Sequence, residues 1–269
     1  VIVTYFNVIR KVNGYVAVVF SRSEAHNTLD AEFIAELTRA FESLASDRTV
    51  RLICLMASGD SFCAGADLKW MKAAAAQGEA ENHTDALALA GLFEAIDRCP
   101  KPVVAIVKGA ALGGGVGIIA CCDLVFASPS AKFGLTEVRL GLIPATISPY
   151  VIAKIGVSHA RRFMLTGERF SADIAQRIGL VHEIADDPAE AALPSIDALL
   201  HQCGPEAVAD TKRLIANVAG KPITAELLDM TASRIAVRRA SDEGREGMAA
   251  FLNKRKPNWV DERKDGDVQ

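Results

Sequence analysis

The chain has 269 residues, half of them apolar and 23% charged, the balance of a soluble globular protein with room for one large core. Its 30 basic and 33 acidic residues leave a net charge of −3, so the broad basic field of a nucleic-acid binder is absent. No apolar run approaches the roughly 20 residues of a membrane helix, and the opening "VIVTYFNVIRKVNG" has no charged leader before an apolar block. A cytoplasmic protein with no membrane or nucleic-acid partner is therefore expected.

In chain order, "YVAVVF" (Tyr15–Phe20) follows the Asn13-Gly14 turn and predicts a hairpin with Val3–Arg10. From Leu29 the period becomes helical: Phe33, Leu37, Phe41 and Leu44 share a face, with Asp30 placed to cap. "VRLICLMA" (Val50–Ala57) is an apolar run apart from Arg51, as in a strand covered on both faces. "SGDSFCAGADLKWM" reads as loop and then helix start. The small, polar "AAAAQGEAENHTD" (Ala73–Asp85) predicts a mobile flap. A helix through Leu87, Leu89, Leu92, Phe93 and Ile96 follows, then the buried strand "KPVVAIVKG", a triple-glycine turn and the strand "DLVFA".

After Phe133 helical patterns dominate. Ser148-Pro149 predicts a helix start with serine as cap and proline first inside. Ser171 can cap a short helix that Gly179 ends, and "GLVHEI" gives one more strand. From Glu206 onward only helices are predicted, with Met230, Ile235 and Val237 on a packing stripe and a charged tail that frays. Alternation of strands and helices argues an α/β fold with parallel pairs. We divide it into an α/β core over residues 1–200 and a helical C-terminal subdomain over 201–269. The six cysteines (Cys54, Cys63, Cys99, Cys121, Cys122 and Cys203) form no CxxC and no zinc spacing. Reduced, mostly buried thiols and no metal site are expected.

Two stretches, "FCAGADLKWM" (Phe62–Met71) and "GAALGGGVGII" (Gly109–Ile119), join small residues to a strand-to-helix transition. Each would present unpaired backbone N–H groups at a helix start. Aimed at one point, two such ends would make an oxyanion hole. Either one alone is more often a tight turn than a site. Neither is a phosphate loop.

Together with "AKFGLTEVRLGLIP" and "LTGERFSADIAQRIGLVHEI", in this order, these stretches resemble the crotonase (enoyl-CoA hydratase/isomerase) superfamily over nearly the whole chain. The resemblance implies a spiral core of ββα units with a helical C-terminal subdomain. The implied partner is an acyl-coenzyme A thioester that needs no further cofactor. Its carbonyl oxygen would be held by the backbone N–H groups of Ala66 and Gly114, with Glu137 as the catalytic carboxylate. Hydratases of the family usually carry a second glutamate three residues after the middle glycine, and here that position is Gly117.

Coenzyme A would lie against Arg22, Ala25, Ala64, Asp67 and Leu68. Phe251 and Lys254 match positions that reach it across a subunit boundary in homotrimers or homohexamers. "ISPYV" replaces the glycine-rich run that usually follows "GLIP", and with the preceding motifs resembles the branch that hydrates methylglutaconyl- or isohexenylglutaconyl-CoA. Arg139, Lys69 and His26 are candidates to meet the distal carboxylate of such substrates, and Tyr150 and Trp70 to shape the acyl pocket. Hydration by one glutamate is the first expectation. Isomerisation or a related acyl-CoA reaction is the second, and an RNA-binding role on the same fold is the third.

Overall fold

The computed structural model of the protein describes residues 5–260. Val3 and Thr4 of the expected hairpin, and the end of the charged tail, lie outside them. The hairpin forms between β1 (Phe6–Arg10) and β2 (Tyr15–Phe20), with Gly14 at φ +85° in its turn. Helix α1 (Ala31–Ser46) starts where Asp30 Oδ1 accepts from the Phe33 N–H at 2.9 Å and buries Phe33, Ile34, Leu37, Phe41 and Leu44.

Three strand pairs follow, and each sends one strand to each of two sheets. They are β3 (Leu52–Ala57) with β4 (Ser61–Cys63), β5 (Val103–Val107) with β6 (Ala110–Leu112), and β7 (Leu124–Ala127) with β8 (Lys132–Gly134). Helices α2 (Leu68–Ala74) and α3 (Glu79–Asp97) follow the first pair, α4 (Gly114–Cys121) the second and α5 (Ser148–Thr166) the third. This is the repeated ββα unit of the expected spiral. β9 (Arg169–Ser171) closes the four-stranded sheet, in the order β4-β6-β8-β9, and α6 (Ala172–Arg177) follows it. β10 (Glu183–Ile184) closes the six-stranded sheet, in the order β1-β2-β3-β5-β7-β10. All neighbours are parallel except β1/β2 and β8/β9.

The apolar runs of the central strands have the expected cause. Ile53, Leu55, Val103 and Ala105 face the main core with α1, α3, α4 and α5. Leu52, Cys54, Val104 and Ile106 face the other way, onto Ala192 and Ile196 of α7 (Pro188–Asp197). Beyond a π-helical turn (Ala198–Gln202) come α8 (Pro205–Val218), α9 (Ala225–Ala240) and α10 (Asp242–Leu252). Lys212 of α8 ties this part to the core through Asp123 Oδ2 at 2.7 Å, and the same oxygen accepts from the Val103 N–H.

Several local expectations are corrected. The flap is mostly helical: α2 runs to Ala74, and α3 starts at Glu79, where Glu81 Oε2 accepts from the Gly78 N–H at 3.0 Å. Ala75 and Ala76 lie between the two helices, and the reach of Glu81 back to Gly78 starts the second. Ser148 is the first helical residue rather than the cap, and its hydroxyl donates to the Ala145 carbonyl at 2.8 Å. Pro149 still falls in the first turn, where no intrahelical N–H is needed. "GLVHEI" pairs only at Glu183–Ile184, because Leu180 and Val181 turn into the core instead. Ile235 and Val237 are exposed, so the expected stripe is not packed by the described residues.

Candidate active site

β4 and β6 are parallel neighbours, Ser61 opposite Ala110 and Cys63 opposite Ala111, so both chains leave the sheet on one edge and turn side by side. The first turn needs glycine at Gly65, which sits at φ +95° with the Leu112 carbonyl 3.1 Å from where a Cβ would stand. An isolated parallel bridge fixes the next residue. Leu29 N–H donates to the Gly65 carbonyl, and Asp67 N–H donates to the Leu29 carbonyl, both at 2.8 Å. A parallel bridge uses the groups flanking the paired residue, so the N–H of exposed Ala66 has no acceptor among the described residues. Asp67 then caps α2, its Oδ1 accepting from Lys69 N–H at 2.8 Å and Trp70 N–H at 3.3 Å.

The second turn uses Gly113 at φ +50° as the residue before α4, with Gly114 first inside the helix. A first-turn N–H has no intrahelical partner, so Gly114 offers a second free donor at the positive end of the helix. Gly115 backs directly onto Cys63: a Cβ there would lie 3.0 Å from the Cys63 Cβ and closer still to its carbonyl oxygen. Bare backbone at Gly115 is what lets this turn lie against the strand end at Cys63.

Glu137 completes the group. It opens a 3-10 turn (Glu137–Leu140), and its Oε1 lies 3.1 Å from the position of a Cβ on Gly113. Its Oε2 is buried and has no hydrogen-bond partner among the described residues. Burial raises the carboxyl above its ordinary value, against a smaller pull from its own backbone N–H. A partly dry carboxylate at the turn that carries the free Gly114 N–H can move a proton while that donor holds a developing oxyanion.

The structure gives a physical reason for glycine at 117 that the sequence did not. A Cβ there would lie 2.9 Å from Phe93 Cε1 and 3.0 Å from Ile147 Cβ, and closer again to Ile147 Cγ2. Both side chains are fully buried. Ile147 comes from the "ATISPY" segment; its bulk was visible, but not its place over Gly117. The Tyr150 ring packs tilted against Phe93, centroids 6.1 Å apart, and Trp70 Nε1 donates to Asp85 Oδ2 at 3.3 Å.

The other expected residues divide. Arg22, Ala25, Ala64, Asp67 and Leu68 do gather: Ala64 N–H donates to the His26 carbonyl at 3.0 Å, and Arg22 pairs with Asp67 at 3.3 Å. Despite its burial, the Asp67 carboxyl is held below its usual range by the Lys69 and Trp70 N–H groups and Arg22. Leu68 is largely exposed. Phe251 and Lys254 lie at the end of α10, exposed, on a helix whose main contacts are α8 and α9. Among candidates for a distal carboxylate, His26 Nδ1 is 3.2 Å from Ser61 Oγ, Lys69 is exposed, and the Arg139 stem lies over Gly167.

A family model described as "Enoyl-CoA hydratase/isomerase" matches residues 10–263. A solved enoyl-CoA hydratase from Shewanella pealeana is similar at 42% identity and TM-score 0.93, over 95% of this chain and 96% of that one. A crotonyl-CoA hydratase from Syntrophomonas wolfei is 32% identical over 95% of this chain and 98% of its own length. An (E)-benzylidenesuccinyl-CoA hydratase from Thauera aromatica is 33% identical over 92% and 96%.

Proposed function

The chain belongs to the enoyl-CoA hydratase/isomerase family and is an enzyme of the hydratase type, and from that premise we propose that it hydrates a branched, carboxylated enoyl-CoA, such as methylglutaconyl-CoA or isohexenylglutaconyl-CoA, with Glu137 as its one catalytic carboxylate. The observation that carries this is the pairing of a buried, unpartnered Glu137 oxygen at the Gly113–Gly114 turn with a Gly117 sealed by Ile147 and Phe93.

Glu137 takes a proton from water as its oxygen attacks C3. The C2=C3 pair moves to C2 and the carbonyl oxygen becomes an enolate, held by the Ala66 and Gly114 N–H groups. Glu137 then returns the proton to C2. Each such donor is worth about 2.7–4 kcal/mol of barrier. A raised carboxyl value suits both steps, since a base works best when its own value nears the working pH.

A branched, dicarboxylate acyl group is supported by the benzylidenesuccinyl relative, whose named substrate is itself a substituted succinyl thioester. Coenzyme A would lie along Ala25, Ala64 and Leu68. Phe251 and Lys254 would come from the neighbouring subunit of a trimer or hexamer, which exposed Ile235, Val237 and Phe251 support. Five buried free cysteines suit a reducing compartment such as the cytoplasm; among the described residues no helix is long and apolar enough to cross a membrane.

The test is ultraviolet loss of the enoyl thioester, with methylglutaconyl-CoA and crotonyl-CoA in parallel and Glu137→Gln as control. Faster hydration of the branched substrate, abolished by the substitution, is expected. Double-bond migration without water addition would move the assignment to an isomerase. Hydration of crotonyl-CoA alone would remove the branched substrate.

A further inference from the structure

We infer that Arg22 is a positioning residue for the Ala66 N–H, acting through Asp67, rather than an anchor for a coenzyme A phosphate. The inference rests on the reading of Ala66 as an oxyanion donor.

Two aspartates each use one oxygen to cap a helix and the other to hold Arg22. Asp30 Oδ1 accepts from Phe33 N–H at the start of α1, and its Oδ2 takes Arg22 Nη1 at 2.5 Å. Asp67 Oδ1 caps α2, and its Oδ2 takes Arg22 Nη2 at 3.3 Å together with the Thr28 hydroxyl at 3.3 Å. The guanidinium therefore joins the first residues of two helices. Its face lies 5.0 Å from the Tyr5 ring centre, and the Tyr5 hydroxyl donates to Glu32 in the first turn of α1 at 2.9 Å. The Arg22 carbonyl accepts from Ala25 and Asn27 N–H, and Asn27 Nδ2 donates to the Ser58 and Ser61 carbonyls, so the 22–29 loop is closed and moored beside β4.

Between these moorings sits the Leu29–Ala66 bridge, which sets where the Ala66 N–H points. Arg22 and Thr28 on one side and the α2 cap on the other hold Asp67, the residue directly after Ala66. A planar, two-pronged cation is the group suited to spanning two carboxylates. The charge count opposes a phosphate role. One cation against two carboxylates leaves the cluster net negative, and the Arg22 side chain is only 13% exposed. A phosphate would meet repulsion there.

The experiment compares wild type, Arg22→Gln and Asp67→Asn in two assays. One reads kcat and KM on the enoyl thioester the wild type hydrates fastest. The other reads the ultraviolet enolate band of bound acetoacetyl-CoA, a β-keto thioester whose enolate grows with oxyanion stabilisation. Expected is a kcat loss of about 10- to 100-fold, the size of a donor displaced but not deleted. KM and the affinity for free coenzyme A should stay within about threefold, and the enolate band should fall, because donor placement rather than thioester binding is disturbed.

A rise in KM and weaker coenzyme A binding with kcat retained would overturn the inference and make Arg22 a ligand contact. If Arg22→Gln does not fold, Asp67→Asn decides, since its amide oxygen still caps α2; unchanged kcat there overturns the inference equally. A wild type that turns over no enoyl thioester but polarises acetoacetyl-CoA would end the hydratase reading and leave this one to the band. A wild type that does neither has no oxyanion hole for Arg22 to serve, and both readings fall.

Discussion

Replacing Gly117 by alanine should destabilise this protein, although alanine is the better helix former. The added methyl would stand 2.9 Å from Phe93 Cε1 and 3.0 Å from Ile147 Cβ, where carbon atoms normally rest about 3.5–4.0 Å apart. Neither neighbour is the free end of a flexible chain, and both are fully buried. Overpacking of this kind costs about 1–3 kcal/mol. Helix propensity returns about 0.8–1 kcal/mol. The net loss is then up to about 2 kcal/mol, or up to about 8 °C in Tm for a chain of this size.

Gly91 in α3 is the control, because nothing lies within 4 Å of where its Cβ would stand. Gly91→Ala should raise Tm while Gly117→Ala lowers it. A thermal-melt cycle with Ile147→Ala sharpens the test. Alone, that truncation costs about 2–5 kcal/mol; combined with Gly117→Ala the new methyl enters the vacated space, so the double variant should beat the sum by about 0.5–3 kcal/mol. A Gly117→Ala protein as stable as wild type, with no coupling to Ile147, would refute the argument that apolar packing bars a second carboxylate from this position.

Glu137→Gln should abolish hydration and yet raise Tm at neutral pH. Burial raises the folded-state value of this carboxyl, so its contribution to stability is present below the ordinary glutamate range and lost as pH rises through the folded value. The Tm advantage of glutamine should therefore vanish in acid, and an advantage that grows in acid would contradict the assignment. For the same reason kcat/KM should rise with pH, as the base ionises, with a midpoint above the usual glutamate value of about 4.3; a pH–rate profile with a lower midpoint would remove Glu137 as that base. Gly114→Ala should fold nearly as well as wild type, because its Cβ would meet only the Cδ1 end of Leu29 at 2.9 Å. Gly115→Ala should fold poorly or not at all, since backbone at Cys63 stands in the way; equal melting of the two would show that the turns are not in contact.

Much of this protein was legible in local pattern. The apolar run at 52–57, the aspartate ahead of Phe33 and the helical spacing to Leu44 announce a two-faced strand and a capped helix, because burial and capping act over a few residues. The two glycine-bearing turns and Glu137 were legible as motifs, since backbone N–H groups can face a ligand only where side chains are small. The start of α3 at Glu79 was not legible, because its cap is a glycine whose N–H is met by the Glu81 side chain rather than a serine, threonine, aspartate or asparagine. What only the tertiary structure decided were contacts between segments far apart in sequence. It set Ile147 and Phe93 against Gly117, which turned an apparently missing residue into a packed position. It drew Arg22 between Asp30 and Asp67, 8 and 45 residues away. Sequence fixes what each segment favours on its own; which surfaces meet, and so which charge is neutralised and which volume is filled, is settled only when the sheets bring the strand ends together.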